Sequence, residues 1–151
     1  MKKITQLIVV FCFAITLNSY AQQSVSQKDK FEATYNHSKA ITKSQNYTFV
    51  GEWIVDGKKR EQLDGNINKI KISKSNSSGR LNLFKKENKT IDFNGAIKNY
   101  KVVYNDNNQR VSISYKIKDI KVAIEIAMNG NAFLKTTFND GNTISYVGQL
   151  K

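Results

Sequence analysis

Apolar and polar positions alternate most regularly between Tyr100 and Leu150, in five short runs separated by turn signals. Alternation with period two sends successive side chains to opposite faces of a sheet, so each turn can be tested by whether it keeps the apolar residues together. Lys118-Asp119 as a two-residue turn sets Ile117 opposite Ile120, Tyr115 opposite Val122, Ile113 opposite Ile124 and Val111 opposite Ile126. A loop from Asn105 to Arg110 pairs Tyr104 with Val111, Val102 with Ile113 and Tyr100 with Tyr115. A two-residue hairpin at Asn129-Gly130 would place Ile124 opposite Lys135 and mix the faces. The pattern therefore predicts a three-residue loop, Asn129-Gly130-Asn131, with Asn131 left-handed and Ile126 opposite Leu134. A second three-residue loop, Asn139-Asp140-Gly141 with Gly141 left-handed, is expected to set Phe138 opposite Ile144 and Thr136 opposite Tyr146.

One inner face then runs through all five strands, from Tyr100, Val102 and Tyr104 to Ile144, Tyr146 and Leu150. The outer face carries Lys101, Ser112, Ser114, Lys116, Lys121, Glu125, Lys135, Ser145 and Gln149. Glu125 and Lys135 are expected to lie opposite each other as a weak surface pair. Lys116 and Lys121 also oppose, which is unfavourable unless Asp119 or a bound anion sits nearby.

An apolar inner face needs a cover, and the earlier chain supplies it less legibly. A strand is expected from Asn46 to Asp56, with Tyr47, Phe49, Gly51, Trp53 and Val55 on one face. Lys58-Lys59-Arg60 reads as a solvated loop, Ile67 to Ser73 as a strand, Lys74 to Gly79 as a flexible connection and Arg80 to Phe84 as a third strand. Extended structure resumes at Ile91 and bends at Gly95. Counting Ile91 to Tyr104 as one bent strand gives about eight strands. The expected fold is all-β with one N-terminal helix: an antiparallel up-and-down meander closing into a barrel-like, lipocalin-like domain, which removes exposed edges. A two-layer sandwich is the runner-up. The helix is expected from Ser26 to about Thr42, with Ser26 as N-cap and a stripe of Phe31, Tyr35, Ser38 and Ile41.

The start of the chain changes the picture of where this domain works. Met1-Lys2-Lys3, an apolar run to Leu17, and Ser19 and Ala21 at the −3 and −1 positions predict a secretory signal peptide over residues 1–21, cleaved between Ala21 and Gln22. Residues 22–45 then form a polar segment and short helix, and residues 46–151 the β-domain. The expected location is periplasmic or secreted, and the apolar run is too short to span a membrane. The sole cysteine, Cys12, leaves with the signal, so no disulfide forms in the mature chain. Loss of Lys2 and Lys3 leaves 22 Lys and Arg against 12 Asp and Glu, a net charge of +10. For an exported protein that charge suits an anionic envelope surface rather than nucleic acid. Lysines on outward strand positions also discourage edge-to-edge aggregation.

The run Phe93-Asn94-Gly95-Ala96-Ile97-Lys98-Asn99-Tyr100 follows an F-x-G-x-I-x-x-Y pattern. With Tyr47 to Phe49 and the closing Ser145-Tyr146-Val147-Gly148, it resembles a family of small secreted proteins from Bacteroidota-type bacteria known as domain of unknown function 4251. The resemblance covers most of the mature chain. It implies a secreted all-β protein and no activity.

Candidate chemistry is sparse. His37 stands between Asn36 and Ser38 without neighbouring ligand types, so it reads as a surface residue, and neither a metal nor another cofactor is expected. A Ser-His-Asp arrangement would depend on this same histidine. Asp56-Gly57, Asp64-Gly65 and Asp140-Gly141 are explained by turn formation. The expectation is therefore no enzyme. It is a binding module for a small apolar or amphipathic ligand, walled by Trp53, Tyr100, Tyr104, Tyr115 and Tyr146. The alternative is an envelope protein that meets a protein partner or an anionic surface, with Lys101, Lys116 and Lys121 as its contacts.

Overall fold

The computed structural model describes residues 26–151; the expected signal peptide and its cleavage point between Ala21 and Gln22 lie outside the described residues. The described residues fall in two units, one that ends at Lys30 and one that spans Phe31–Lys151. Of the first unit, the described part is the opening turn of helix α1 (Gln27–Ser44), where the Asp29 N–H donates to Ser26 Oγ at 3.1 Å. That bond satisfies one of the helix's orphan amides, as expected of an N-cap serine.

The second unit continues α1 and adds ten strands. They are β1 (Asn46–Asp56), β2 (Lys59–Gln62), β3 (Lys69–Ser73), β4 (Asn76–Asn82), β5 (Thr90–Asp92), β6 (Gly95–Asn105), β7 (Arg110–Ile117), β8 (Ile120–Ile126), β9 (Asn131–Thr137) and β10 (Thr143–Leu150). All pairings are antiparallel. Eight strands close a ring in the order β1-β3-β4-β6-β7-β8-β9-β10, with β10 returning to β1; β2 lies beside β1 and β5 beside β4. The predicted barrel-like meander of about eight strands is thus the observed fold. Its interior is one core cluster, including Phe49, Ile54, Ile70, Ile72, Leu81, Phe93, Ile113, Ile124, Leu134 and Tyr146. Tyr35, Ser38 and Thr42 are the buried residues of α1.

The seam between β1 and β10 needs a glycine. Gly148 faces Gly51, and a Cβ at Gly148 would lie 1.9 Å from the Val50 carbonyl oxygen. The register of β1 then slips between Gly51 and Trp53. This bulge turns the strand over: Tyr47 and Phe49 are buried before it, and Ile54 is buried after it. Trp53 was expected on the Tyr47–Phe49 face; the bulge moves it to the other one.

Several local readings change for similar reasons. Lys59–Gln62 is a strand, because its backbone pairs with β1 although its side chains carry no apolar alternation. The Ser-rich run expected to be flexible forms most of β4, joined to β3 by the two-residue turn Lys74-Ser75 with Lys74 left-handed. The expected bent strand from Ile91 is two strands, of which β5 pairs only with β4.

In the second half, the pairings Ile117–Ile120, Tyr115–Val122, Ile113–Ile124 and Val111–Ile126 are all present. The β8–β9 loop is Met128-Asn129-Gly130: Ala127 N–H bonds to the Asn131 carbonyl, and Gly130, not Asn131, is left-handed at φ 86°. Glycine takes that conformation without a Cβ penalty. Ile126 therefore faces Ala132 and Ile124 faces Leu134, two residues from the expected register. The loop Asn139-Asp140-Gly141 is as expected, but Phe138 N–H bonds to the Asn142 carbonyl, so Thr136 faces Ile144. Both shifts equal the period of the strand, so the inner face is unchanged. Between β6 and β7 a bulge at left-handed Asn99 takes Tyr100 out of ladder register with Tyr115.

Candidate functional site

Two groups of residues have the chemistry of a site: tyrosines inside the barrel and lysines outside it. The inner group gathers where α1 crosses the strands. Tyr47 of β1 and Tyr100 of β6 bring their hydroxyls to 3.2 Å, and the Tyr100 ring stacks on Tyr115 of β7 at 6.2 Å between centroids. The Tyr104 hydroxyl lies 3.4 Å from Thr42 Oγ1 on α1. Tyr35 donates to Asp106 Oδ1 at 2.8 Å, and Lys39 reaches the same oxygen at 2.7 Å while its ammonium sits over the Tyr35 and Tyr104 rings. Asp106 is therefore the point where helix and β6–β7 loop are fastened.

Burial pushes the Tyr35 hydroxyl up to about 12, helped by its bond to Asp106. Burial raises Tyr47 and Tyr115 further and Tyr100 in the same direction. A raised value keeps the phenol neutral over the range in which it would otherwise ionise. The Tyr115 hydroxyl is buried and has no partner among the described residues.

Of the residues predicted to wall a ligand site, Tyr100, Tyr104 and Tyr115 belong to this group. Tyr146 is fully buried, and its hydroxyl donates to the Asn82 carbonyl of β4 instead. Trp53 is on the outer face, where the Arg60 guanidinium stacks 4.0 Å from its ring. Tyr35 and Tyr47 complete the group and were not predicted. Tyr47 shares a face with Phe49 and Tyr35 lies in the helical stripe, but nothing local marks them as neighbours of Tyr100.

The outer group lies across β6–β9. In the ladder, Lys98 faces Lys116 and Lys116 faces Lys121. One row along, Lys101 faces Ser114 and Lys135 faces Ala123. Small side chains between long ones leave a depression of ≈ 320 Å³ whose floor includes Ser114, Ala123 and Thr137 and whose rim includes Lys116, Lys121 and Lys135. The predicted contacts Lys101, Lys116 and Lys121 thus share one face with Lys98 and Lys135. The expected Glu125–Lys135 pair is absent: the register shift sets Phe133 opposite Glu125, and Glu125 binds Arg110 instead. The ion pairs Lys39–Asp106, Arg110–Glu125 and Lys118–Asp92 involve none of these five lysines.

A third feature is a cleft of ≈ 470 Å³ between the β2–β3 connection and the chain after β4. Buried Asn68 builds its floor, accepting from the Asn82 N–H at 2.7 Å and donating to the Asp64 carbonyl at 2.9 Å. Among the described residues no three His, Cys, Asp or Glu side chains are grouped as a metal ion would require, and no helix is long and apolar enough to cross a membrane.

Comparison with known proteins adds the family. The sequence model of a family described as Domain of unknown function (DUF4251) matches residues 29–150. A crystal structure of a DUF4251 family protein from Bacteroides eggerthii DSM 20697 is similar in fold, with a TM-score of 0.65 at 16% identity, over 82% of this chain and 91% of that one. No curated protein matches the chain.

Proposed function

The chain belongs to the DUF4251 family, described as a domain of unknown function, and we propose that it is a non-catalytic binding module whose outer lysine face holds an anionic partner. The observation that carries this reading is the cross-strand pair Lys116–Lys121. Like charges directly opposite on neighbouring strands repel. Lys98 and Lys135 extend the same patch, and no carboxylate among the described residues pairs with any of them. An anion in the depression relieves that repulsion, and each lysine beside an anionic surface contributes about 1 kcal/mol at moderate salt. Export, as expected from residues 1–21, would bring this face to the phosphates and carboxylates of the cell envelope.

Heparin, a soluble polyanion, is the probe. The wild-type mature chain should be retained on immobilised heparin. The double variant Lys116→Glu/Lys121→Glu should elute at clearly lower salt than Lys58→Glu/Lys59→Glu, which has the same net charge but lies on the β1–β2 turn and the start of β2. Equal loss in both would show attraction by net charge alone and sink the reading.

A second reading rests on the Tyr115 hydroxyl, buried without a partner beside the Tyr47–Tyr100 pair. A small amphipathic guest at the α1 end of the barrel would satisfy it. Native mass spectrometry of the protein purified from its source would detect such a guest as added mass.

A further inference from the structure

The lysine depression is not isolated on its face. A second depression, of ≈ 480 Å³, lies beside it, and the two share Ala123 and Lys135 as lining residues. The second one is apolar in character, walled by Val55, Phe133 and Val147. Phe133 is 47% exposed, unusual for a large apolar side chain on a strand whose inner face is fully packed. The acidic residue opposite it, Glu125, is paired with Arg110. A soluble polyanion would use the lysines and leave Phe133 in water. An amphiphile would use both halves.

We infer that this face docks peripherally on an anionic lipid surface, with Lys116, Lys121 and Lys135 on the headgroup charges and Phe133 entering the interface beside them. The inference rests on the proposed anion-binding role and names its partner. The chemistry is that of interfacial binding: cationic side chains gain from the negative surface potential, and an exposed aromatic ring gains by leaving water. Charge complementarity selects the surface, and the adjoining apolar wall selects lipid over a soluble polymer. Lys135, shared by both depressions, sits at the boundary, where a lysine stem can lie along apolar surface while its ammonium meets a phosphate.

The test is co-sedimentation with phosphatidylcholine vesicles, with and without phosphatidylglycerol, set beside heparin retention of the same variants. The wild-type mature chain should bind only the phosphatidylglycerol-containing vesicles, less as salt rises. Phe133→Ser should weaken vesicle binding about tenfold while leaving heparin retention unchanged. Because Phe133 is half exposed, this variant should keep the wild-type melting temperature, which the same preparation verifies. Unchanged vesicle binding by Phe133→Ser overturns the lipid inference and leaves the anion-binding reading standing. Saturable binding of monomeric dihexanoyl phosphatidylglycerol without binding to vesicles also overturns it, in favour of a single-lipid site. Heparin retention that Lys116→Glu/Lys121→Glu leaves intact removes the underlying reading instead.

Discussion

The two halves of the barrel are built by different means. From β6 to β10 consecutive strands pair in turn, interrupted only by the bulge at Asn99, and in β8 burial alternates at every residue. In the first half strands share partners. β1 pairs with β3 along its first residues, with β2 along its last, and with β10 on its other edge; β4 meets β3, β5 and β6. A strand that keeps one partner on each side can hold a single alternation from end to end. A strand that changes partners bulges or bends, and its pattern breaks where the partner changes. The regular half therefore specifies itself, while the first half is specified by what it must close.

The sharpest test of that dependence lies at the seam. Gly148→Ala would put a methyl group 1.9 Å from the Val50 carbonyl oxygen, and no rotamer can move a Cβ. The substitution should cost upwards of about 4 kcal/mol, read as a large drop in urea midpoint. Gly141→Ala also disturbs a glycine, left-handed at φ 84°, but in a turn with nothing within 4 Å, and should cost only about 1 kcal/mol. Equal losses would mean that the first half does not depend on the close approach that seals it to β10.

This contrast also sets what the sequence could reveal. The lysine face was legible because Lys116, Lys121 and Lys135 belong to the regular half, where alternation fixes the outward positions even when the register is two residues out. Trp53 was misplaced because the bulge before it inverts the face, and no local pattern of apolar positions marks that bulge. β2 was invisible because its Lys-Arg-Glu-Gln side chains carry no period; backbone pairing alone makes it a strand. The tyrosine group was half legible. Tyr100, Tyr104 and Tyr115 lie on one predicted face, whereas Tyr35 and Tyr47 reach it from α1 and β1, a juxtaposition made by closure and not by any local pattern.

How far α1 serves as part of that closure can be read from pH. Tyr35 has an ordinary value of 10.0 and is pushed up to about 12 in the folded chain, first by burial and then by its bond to Asp106. The folded state thus favours the neutral phenol. Its contribution is complete below pH 10 and is lost as pH rises through about 12. Tyr47, Tyr115 and Tyr146 are raised by burial and act in the same direction. The urea midpoint should fall steeply above pH 10. Tyr35→Phe should lose about 1 kcal/mol at neutral pH through the missing bond to Asp106 and show a shallower alkaline decline. A decline as steep as that of the wild type would mean that the helix fastening does not titrate with the fold.

The smallest effect distinguishes the two readings of the barrel's interior. Tyr47→Phe removes a hydroxyl that has a partner in Tyr100, and should destabilise by about 1 kcal/mol. Tyr115→Phe removes one that is buried without a partner. Taking away an unsatisfied polar atom relieves its desolvation, so this variant should be neutral or more stable by up to about 1 kcal/mol. The two changes delete the same atom from neighbouring rings, and opposite signs are expected in thermal melts of the purified protein. If Tyr115→Phe is destabilising instead, its hydroxyl is satisfied by something held inside the barrel, and the interior regains its claim as a ligand site beside the lysine face.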